Sequence, residues 1–342
     1  MELRDYVISQ IEHRETDVIP YTFDYTEEVA QKLNEYYGGE DWQDRITEFL
    51  NFPVTVDTLQ EKDIDDKRRK DAFGGIWRVD RRPWHLETPP LAERDLEKMD
   101  FPPVSKFVNP VLRDKEEAKI NMEKNKNKFQ VINMGWGLFE QTWRIRGFQN
   151  ILLDVIEAPD FYRELIEKIA DYYVEMVRAC KDIPADAFFF GDDWGDQRGV
   201  IIGPERWRQL IKPYWKKVYA EVHSQGKYVM SHSCGSVADI IPDVIEIGLD
   251  VLESVQPEAE NMNPYELKKN WGEEITFWGA LGTQKLIPFG SPEEIKTEIK
   301  KLKKEMGKNG GYILSSSKPL QPETPVENAV AVLEGFIEDS LR

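Results

Sequence analysis

The stretch KYVMSHSCGSVADIIPDVIEIGLDVLESVQ, residues 227–256, decides the fold. It opens on a short apolar run at 227–231, passes through polar residues into an amphipathic segment from Ser236, and closes on a second apolar run at 251–253. Short apolar runs are typical of buried strands, and the segment between them has the pattern of a helix. The stretch therefore predicts a strand–helix–strand unit, whose two strands lie parallel in one sheet.

The same alternation continues on both sides of this unit. Further apolar runs occur at 129–133, 187–191, 275–278 and 311–314, with helices expected from Pro204, near Pro264, from Ser291 and over 325–341. An open doubly wound sheet is the rival to a closed barrel, but such a sheet usually carries a glycine-rich phosphate turn. The sequence has no GxGxxG or P-loop motif. Six regular units behind an irregular front therefore predict an α/β fold of the (β/α)8 TIM-barrel type.

The first part of the chain is less regular than the rest. Residues 1–127 contain an apolar run at 18–23, a helical stretch over 27–37 and an aromatic-rich, hairpin-like segment over 73–86. We expect a single barrel domain over 1–342, to which residues 1–127 contribute N-terminal helices, this hairpin-like segment and loops.

Composition excludes several classes of protein. Lys and Arg number 45 against 63 Asp and Glu, so the formal net charge of −18 disfavours nucleic acids and anionic membrane surfaces as partners. Two cysteines cannot form a disulfide framework, and no apolar run approaches the length of a membrane span. The first residues, MELRDYVISQIEHRE, carry charges where a signal peptide needs an apolar run. We expect a cytoplasmic protein that acts on a small molecule.

Polar and aromatic side chains follow the predicted strands. In a barrel the carboxyl ends of the strands converge on one mouth, where active sites lie. The residues that follow these strand ends are Asp192, Asp193, Trp194, Gln197, Arg198, His232, Cys234, Glu253, Gln256 and Lys318.

The acidic pair and its neighbours have alternative interpretations. Asp192 and Asp193 are adjacent, so at most one of them points into the pocket as a catalytic group. The other interpretation is a loop acid that caps a helix or pairs with Arg198. Gln197 and Arg198 either clamp a substrate carboxylate or, for Arg198, form a salt bridge inside the loop. Gln256, which follows the apolar run at 251–253, is predicted to contact the substrate.

Four aromatic residues are candidates for a flat apolar substrate pocket that suits an aromatic ring. They are Trp136, Phe139, Trp143 and Trp194. Large aromatic side chains are also common in protein cores, which is the alternative for each of them.

His232 and Cys234 form the sharpest local motif. Alternate residues at an extended strand end point the same way, so an imidazole and a thiolate can bind one metal ion such as zinc. This spacing supplies only two ligands, whereas a catalytic zinc takes three from the protein. The alternative is a cysteine packed in a loop and a histidine bonded to backbone. The other histidines, for which we predict no role, are His13, His85 and His223.

Longer segments carry a family resemblance. The segment SHSCGSVADIIPDVIEIGLDVLESVQPEA, together with FWGALGTQ, GGYILSSSKPLQPETPVENAVA and FFGDDWGDQRGVIIGPERWRQLIKPY, resembles the uroporphyrinogen decarboxylase superfamily. The resemblance implies a (β/α)8 barrel with one of two chemistries. One is cofactor-free decarboxylation of uroporphyrinogen, and the other is corrinoid-dependent methyl transfer assisted by zinc.

The resemblance is closer to the methyltransferase branch. The chain lacks the RQAGRY-type signature whose arginines bind the decarboxylase substrate, and MGWGLFEQTWRIRG at 134–147 is similar to the methyltransferase-like members. It also lacks the cobalamin-binding DxHxxG motif, which implies that a partner protein carries the corrinoid. The alternatives are a decarboxylase, for which Arg144, Arg146 and Arg198 are the obvious arginines, and a non-catalytic binding member of the fold. The resemblance is compatible with a homodimer.

The zinc ligands of the thiol-alkylating methyltransferases resemble the HxC pattern here only in part. In that branch a third cysteine precedes the last helix, and aligned on PETP at 322–325 it corresponds to Lys318, which is a poor zinc ligand because its amine is protonated. Either there is no metal, or a carboxylate completes the site, for which Asp192, Asp193 and Glu253 are the candidates. For a methoxylated substrate, zinc would polarise the ether oxygen. Lys318 would then protonate the leaving group or pair with a substrate carboxylate.

Overall fold

The computed structural model describes residues 1–59, 62–81 and 83–338. Its strands are β1 (Leu50–Thr55), β2 (Lys62–Asp63), β3 (Arg68–Lys70), β4 (Ile76–Arg78), β5 (His85–Thr88), β6 (Phe129–Trp136), β7 (Ala187–Gly191), β8 (Tyr228–His232), β9 (Val251–Val255), β10 (Thr276–Leu281) and β11 (Tyr312–Ser316). Its α-helices are α1 (Leu3–Ile11), α2 (Glu27–Tyr37), α3 (Ser105–Arg113), α4 (Lys115–Lys124), α5 (Leu138–Arg146), α6 (Phe148–Glu157), α7 (Pro159–Ala179), α8 (Pro204–Leu210), α9 (Lys212–Ser224), α10 (Ile241–Glu246), α11 (Pro264–Trp271), α12 (Leu286–Phe289), α13 (Pro292–Met306) and α14 (Val326–Ile337). None of the helices in these described ranges is long and apolar enough to cross a membrane.

Seven parallel strands form the main sheet, in the order β1-β6-β7-β8-β9-β10-β11. An extended segment at Tyr21 adds to the open side of β11, where the Thr22 N–H donates to the Leu314 carbonyl (3.0 Å) and the Leu314 N–H donates to the Pro20 carbonyl (2.9 Å). The ring of Tyr21 packs against Phe49 beside β1, with centroids 5.5 Å apart. The predicted (β/α)8 barrel is therefore confirmed, with the apolar run at 18–23 in the eighth strand position.

Helices cover the outer face of the main sheet, and most of its strands are therefore buried on both faces. Phe188 and Phe190 of β7 are fully buried, and Phe190 packs against Trp215 and Tyr219 of α9. Covered parallel strands read as nearly continuous apolar runs, which is why these strands could be located from the sequence. Phe189, which lies between them in β7, faces the barrel interior, because successive side chains along a strand point to opposite sides.

The predicted elements agree with the structure apart from some boundaries. All six predicted strands are present, α2 has the predicted bounds, and α13 begins with a capping box in which Ser291 and Glu294 cap one another. The helix expected from Ser236 begins later, at Ile241, because Pro242 fits only the first turn of a helix. The last helix ends at Ile337, and residues 339–341 of the predicted range lie outside the described residues.

A second, antiparallel sheet of four strands, β2-β3-β4-β5, lies between β1 and β6 in the chain. It contains most of the segment predicted to be hairpin-like. Its anchor is the buried carboxylate of Asp71, which accepts hydrogen bonds from the backbone N–H groups of Phe73 and Gly75 (2.9 Å each) and from the indole N–H of Trp77 (2.7 Å). The same carboxylate pairs with Arg144 of α5 (3.0 Å), with both side chains fully buried. This pair ties the small sheet to the barrel.

Candidate metal and substrate site

The candidate site lies at the carboxyl ends of β7, β8 and β9. Gly191 is paired with His232, His232 with Glu253, and Glu253 with Trp278 of β10. Because Phe190 packs outward against α9, the next residue, Gly191, faces the barrel interior. Residues paired across parallel strands point the same way. His232, Glu253 and Trp278 therefore form one interior layer at the mouth.

Asp193, His232 and Cys234 form a cluster of potential ligands. Their carboxylate, imidazole and thiol ligand atoms all lie within 4.8 Å of one another. Nε2 of His232 is 3.3 Å from Oδ1 of Asp193 and 3.3 Å from Sγ of Cys234. The backbone N–H of Cys234 donates to the same Asp193 oxygen (2.8 Å), which holds the carboxylate in place. Zinc binds this combination of nitrogen, oxygen and sulfur donors, so the residues fit the ion.

Glu253 lies behind the imidazole ring. Its carboxylate is hydrogen-bonded to Nδ1 of His232, whereas Asp193 and Cys234 lie at Nε2. A carboxylate on one ring nitrogen orients the ring and leaves the other nitrogen for a metal. The role of Glu253 as a metal ligand stays a prediction, and the position of Glu253 at Nδ1 is that of a residue that orients His232.

Charge within the cluster sets the protonation of His232. Burial lowers the pKa of His232, but the charge of Glu253 and the hydrogen bonds that the ring N–H groups make to Asp193, Cys234 and Glu253 outweigh burial and hold it well above its usual value. Burial raises the pKa of Asp193, yet its contacts with His232 and Cys234 leave it below its usual value. Without a metal, an imidazolium is therefore held among carboxylates. A metal ion at Nε2 must displace that proton.

The structure corrects the predicted catalytic role of Asp192. Its carboxylate is fully buried and caps α5, accepting the backbone N–H groups of Phe139 (3.1 Å) and Glu140 (2.9 Å). It also accepts the indole N–H groups of Trp194 (2.6 Å) and Trp215 (2.9 Å). Burial raises its pKa to about 6, and these donors oppose the rise. Of the two adjacent acids, only Asp193 belongs to the cluster, as the alternation of side chains along a strand requires.

Glu140 of α5 is a further acidic group beside the cluster, and the sequence analysis did not identify it. A β-carbon on Gly191 would lie 4.0 Å from Oε2 of Glu140, which places this carboxyl next to the interior layer. Burial, followed by the charges of Asp192 and Asp193, raises its pKa well above its usual value, and His232 opposes the rise. The available signal was an acid in the first turn of a helix directly after a strand end.

Three glutamines form a chain along one side of the mouth. The Gln256 side-chain oxygen accepts the backbone N–H of Gly235 (2.9 Å) and lies 3.5 Å from the Gln197 amide nitrogen. Gln284 donates to the Gln197 oxygen (3.3 Å). The structure therefore brings the predicted residues Gln197 and Gln256 together. It places Gln256 in the core, with its oxygen occupied by backbone.

The three candidate arginines do not converge on the mouth. Each has an acidic partner of its own: Arg144 pairs with Asp71 (3.0 Å), Arg146 with Asp154 (2.9 Å) and Arg198 with Asp196 (2.9 Å). For Arg198 this is the salt bridge inside the loop, and its side chain is exposed.

Lys318 lies in the loop after β11 and is exposed. Its carbonyl accepts a hydrogen bond from the Ser316 hydroxyl (2.7 Å), which closes a compact turn. Among the described residues its amine makes neither a salt bridge nor a hydrogen bond. Lys318 is therefore a solvent-facing lysine near the mouth.

The four candidate aromatic residues divide into two pairs. Phe139 and Trp194 are only 1% exposed, so the structure corrects their prediction as substrate contacts and assigns them to the core. Trp136 and Trp143 line a large cleft of about 1080 Å³. We call it the tryptophan cleft; its lining residues are Leu59, Trp77, Pro83, Trp84, His85, Leu86, Pro89, Trp136, Trp143, Gly147, Phe148, Gln149 and Asn150.

Another row of aromatic rings crosses the barrel interior. Phe52 of β1 packs against Phe189 of β7 (6.2 Å between centroids), and Phe189 packs against Trp278 of β10 (5.8 Å). The indole N–H of Trp278 donates to the Thr22 hydroxyl (3.2 Å). Trp278 also lies beside Glu253 in the sheet register, so the row is an apolar surface next to the cluster. Phe189 lies in a predicted strand and Phe52 in a strand that was not predicted, and only the closed barrel brings them together.

A closed barrel whose strand ends hold an interlinked set of polar groups has the architecture of a TIM-barrel enzyme. Residues 76–336 match the family model described as uroporphyrinogen decarboxylase (URO-D), and the chain belongs to this family.

Individual relatives agree with this assignment at low identity. The uroporphyrinogen decarboxylase of Geotalea daltonii is 24% identical over 259 residues, which are 73% of this chain and 71% of that protein. The uroporphyrinogen decarboxylase of Carboxydothermus hydrogenoformans is 27% identical over 185 residues, 52% of this chain and 48% of that protein. Among solved structures, a methyltransferase from Methanosarcina mazei has a TM-score of 0.68 at 18% identity and covers 99% of both chains. At 18% identity, this structural likeness supports the fold alone.

Proposed function

We propose that this protein is a methyltransferase component that moves a methyl group between a small, methoxylated aromatic substrate and a corrinoid carried by a partner protein, with zinc at the cluster. The observation that carries the proposal is the set of nitrogen, oxygen and sulfur donors of Asp193, His232 and Cys234, all within 4.8 Å. Cofactor-free decarboxylation has no use for such a set. The methyltransferase from Methanosarcina mazei, which shares the fold over the whole chain, is a supporting comparison.

Charge supports zinc as the occupant. A carboxylate, a thiolate and a neutral imidazole together carry two negative charges. These balance the two positive charges of the zinc ion. Three protein ligands with a fourth position left for substrate is the arrangement of a catalytic zinc. In this proposal Asp193 supplies the third ligand, because Lys318 stands where thiol-alkylating relatives have a cysteine.

The reaction transfers a methyl group from an ether oxygen to the cobalt of the partner's corrinoid, and the oxygen takes up a proton. Zinc bound at the cluster would act as a Lewis acid that stabilises the negative charge on the departing oxygen. Reduced cobalt supplies the electron pair for the new bond to carbon.

In this proposal the chain's own residues orient the metal ligand, bind the substrate and supply a proton to the departing oxygen. Glu253 fixes the ring of His232 so that Nε2 faces the ligand position. The aromatic row ending at Trp278 offers an apolar surface for the ring that bears the methoxy group. Glu140, whose pKa is raised by burial and by the charges of Asp192 and Asp193, lies beside the interior layer and is proposed to supply the proton. Lys318 at the rim is proposed to pair with a substrate carboxylate.

Decarboxylation of a porphyrinogen is the second candidate, favoured by the family model and by the relatives named for that activity. It ranks below methyl transfer because a polycarboxylate needs cations, and the three arginines considered for that role are paired with acids of their own. A cytoplasmic location is proposed from the unpaired cysteines, Cys180 and Cys234.

The first test measures metal content by elemental analysis of protein purified without added zinc. We expect nearly one zinc per chain in the wild type and loss of the ion in His232→Ala and Cys234→Ala. Cys180→Ala is the matched control, because Cys180 is a buried cysteine outside the cluster and this variant should retain the metal.

The second measurement follows cob(I)alamin by visible absorbance in the presence of a methoxybenzoate. The wild type should consume cob(I)alamin, and both cluster variants should lose at least about 10³-fold of that rate, as expected when a catalytic electrostatic group is removed. Metal-free wild type that cannot be reconstituted with zinc contradicts the proposal. Decarboxylation of uroporphyrinogen by chelator-treated protein would establish the second candidate instead.

A further inference from the structure

The tryptophan cleft lies at the end of β6, between the small sheet and the helices α5 and α6. Trp136 and Trp143 meet at 5.0 Å between ring centroids, Trp77 meets Trp136 at 5.8 Å, and Phe148 meets Trp143 at 6.2 Å. Trp84 completes the lining at the rim and is 36% exposed. Five large aromatic side chains thus surround one open space.

The walls of the cleft are held in place from behind. Trp77 donates its indole N–H to the Asp71 carboxylate (2.7 Å), and that carboxylate is paired with Arg144, which lies over the outer face of Trp136 at 5.7 Å. A cleft whose walls are fixed before a ligand arrives spends little binding energy on ordering side chains. The rings are therefore a preformed surface.

The lining is nearly free of charge. Among the described residues it contains no Asp, Glu, Lys or Arg, and its polar side chains are His85, Gln149 and Asn150. The Asn150 amide already donates to the Arg146 carbonyl (2.9 Å). The guanidinium of Arg69 lies over the rim ring of Trp84 (5.4 Å) and is already paired with Asp63 (2.9 Å). Among the described residues, an anionic ligand would therefore lose its hydration against the rings without gaining an unpaired cation, in a protein whose net charge is −18. A flat, neutral ligand would lose little.

The cleft ends close to the cluster. Trp136 is paired with Gly191, which is paired with His232, so two strand spacings, about 10 Å, separate Trp136 from His232. Gly191 between them has no side chain, and Glu140 lies one helical turn before Trp143 on the same side of α5. A ligand of two or more rings in the cleft therefore reaches towards the proposed reaction site.

We propose that the tryptophan cleft is a binding site for neutral, flat aromatic molecules of two or more rings. A volume of about 1080 Å³ is that of a drug-sized site and far exceeds a single ring. Binding in the cleft stands by itself. Its use for the body of the methyl donor rests on the proposed function.

A matched pair of fluorescent probes tests the site. N-phenyl-1-naphthylamine is neutral, and 1-anilinonaphthalene-8-sulfonate has the same rings with one sulfonate. We expect the neutral probe to bind wild type saturably at one molecule per chain and the sulfonate to bind at least about tenfold more weakly. Trp143→Ala should weaken the neutral probe about tenfold, the loss of roughly one stacking contact. Trp84→Ala, at the exposed rim, should weaken it several-fold without disturbing the fold.

Two further variants separate this proposal from the proposed function. Phe289→Ala removes an aromatic side chain that is 84% exposed and outside the cleft, so it should leave probe binding unchanged. Cys234→Ala should lose zinc and bind the probe with wild-type affinity, whereas Trp143→Ala should keep zinc and bind the probe about tenfold more weakly. Equal binding of the two probes, or wild-type affinity in both Trp143→Ala and Trp84→Ala, overturns the cleft proposal. Absence of zinc alongside saturable probe binding overturns only the metal proposal.

Discussion

The cluster at the strand ends and the tryptophan cleft are neighbours with opposite chemistry. In the cluster every functional group is polar, and Asp193, His232, Cys234 and Glu253 are joined by hydrogen bonds. In the cleft the large groups are apolar rings in contact with one another, and charge is kept behind the wall in the Asp71–Arg144 pair.

Under the two proposals, the cluster and the cleft would perform separate tasks. Groups that bind a metal and move protons need charge, whose effect is strong where water is excluded. Groups that recognise a ring need area and rigidity, and an unpaired charge among them would cost binding energy. The two regions should therefore respond to different substitutions and to different conditions.

The largest expected effect is on stability, and it comes from the ion pair behind the wall of the tryptophan cleft. Arg144→Ala leaves the Asp71 carboxylate buried without its ion-pair partner, so we expect the free energy of unfolding to fall by about 3–5 kcal/mol. Denaturant unfolding followed by circular dichroism measures it. Arg113→Ala is the control, because its ion pair with Asp114 is exposed, and its unfolding midpoint should not move. An unchanged midpoint in Arg144→Ala would show that this pair does not secure the small sheet.

A smaller effect is expected on the zinc affinity of the cluster. Glu253→Ala removes the carboxylate that orients His232 but none of the three donor atoms, so zinc affinity should fall about 10- to 100-fold rather than disappear. Competition with a chromophoric chelator measures the affinity, and binding of the neutral probe should stay at the wild-type value. Complete loss of zinc in Glu253→Ala would instead make Glu253 a direct ligand.

The smallest expected effect is the change in ligand affinity for each pH unit, which differs between the two regions. The pKa of His232 is raised in the folded protein, so below that pKa zinc must displace a proton from Nε2. Zinc affinity should then weaken by at least about tenfold for each pH unit as the pH falls, because zinc competes with protons for the imidazole and for the thiolate. The neutral probe carries no proton that the cleft must remove, so its affinity should change far less. Parallel titrations between pH 5.5 and 8 test this, and a pH-independent zinc affinity would count against an imidazole ligand.

The sequence was informative where local pattern decides structure. Buried parallel strands read as apolar runs, so the barrel and the strand-end positions of His232 and Cys234 followed directly. The alternation of side chains also limited the adjacent acids to one group in the site, although it did not tell Asp193 from Asp192. That choice depends on α5, whose first N–H groups Asp192 caps.

Features built from distant parts of the chain could not be read in this way. Glu140 reaches the cluster only because α5 packs against Gly191, and the row from Phe52 to Trp278 exists only once the barrel closes. Trp136 and Trp194 looked alike in the sequence, yet one lines a cleft and the other is core. Burial of a large ring depends on tertiary packing that no local pattern records.

The order of segments along the chain has an evolutionary consequence. The donor residues come from the carboxyl ends of two successive strands, β7 and β8, whereas one wall of the cleft is the small sheet, an excursion between β1 and β6. If both proposals hold, mutation, insertion or exchange of that excursion would alter which molecules are recognised without touching the residues proposed to perform the chemistry. Paralogues of this protein would then diverge in substrate range while inheriting one reaction.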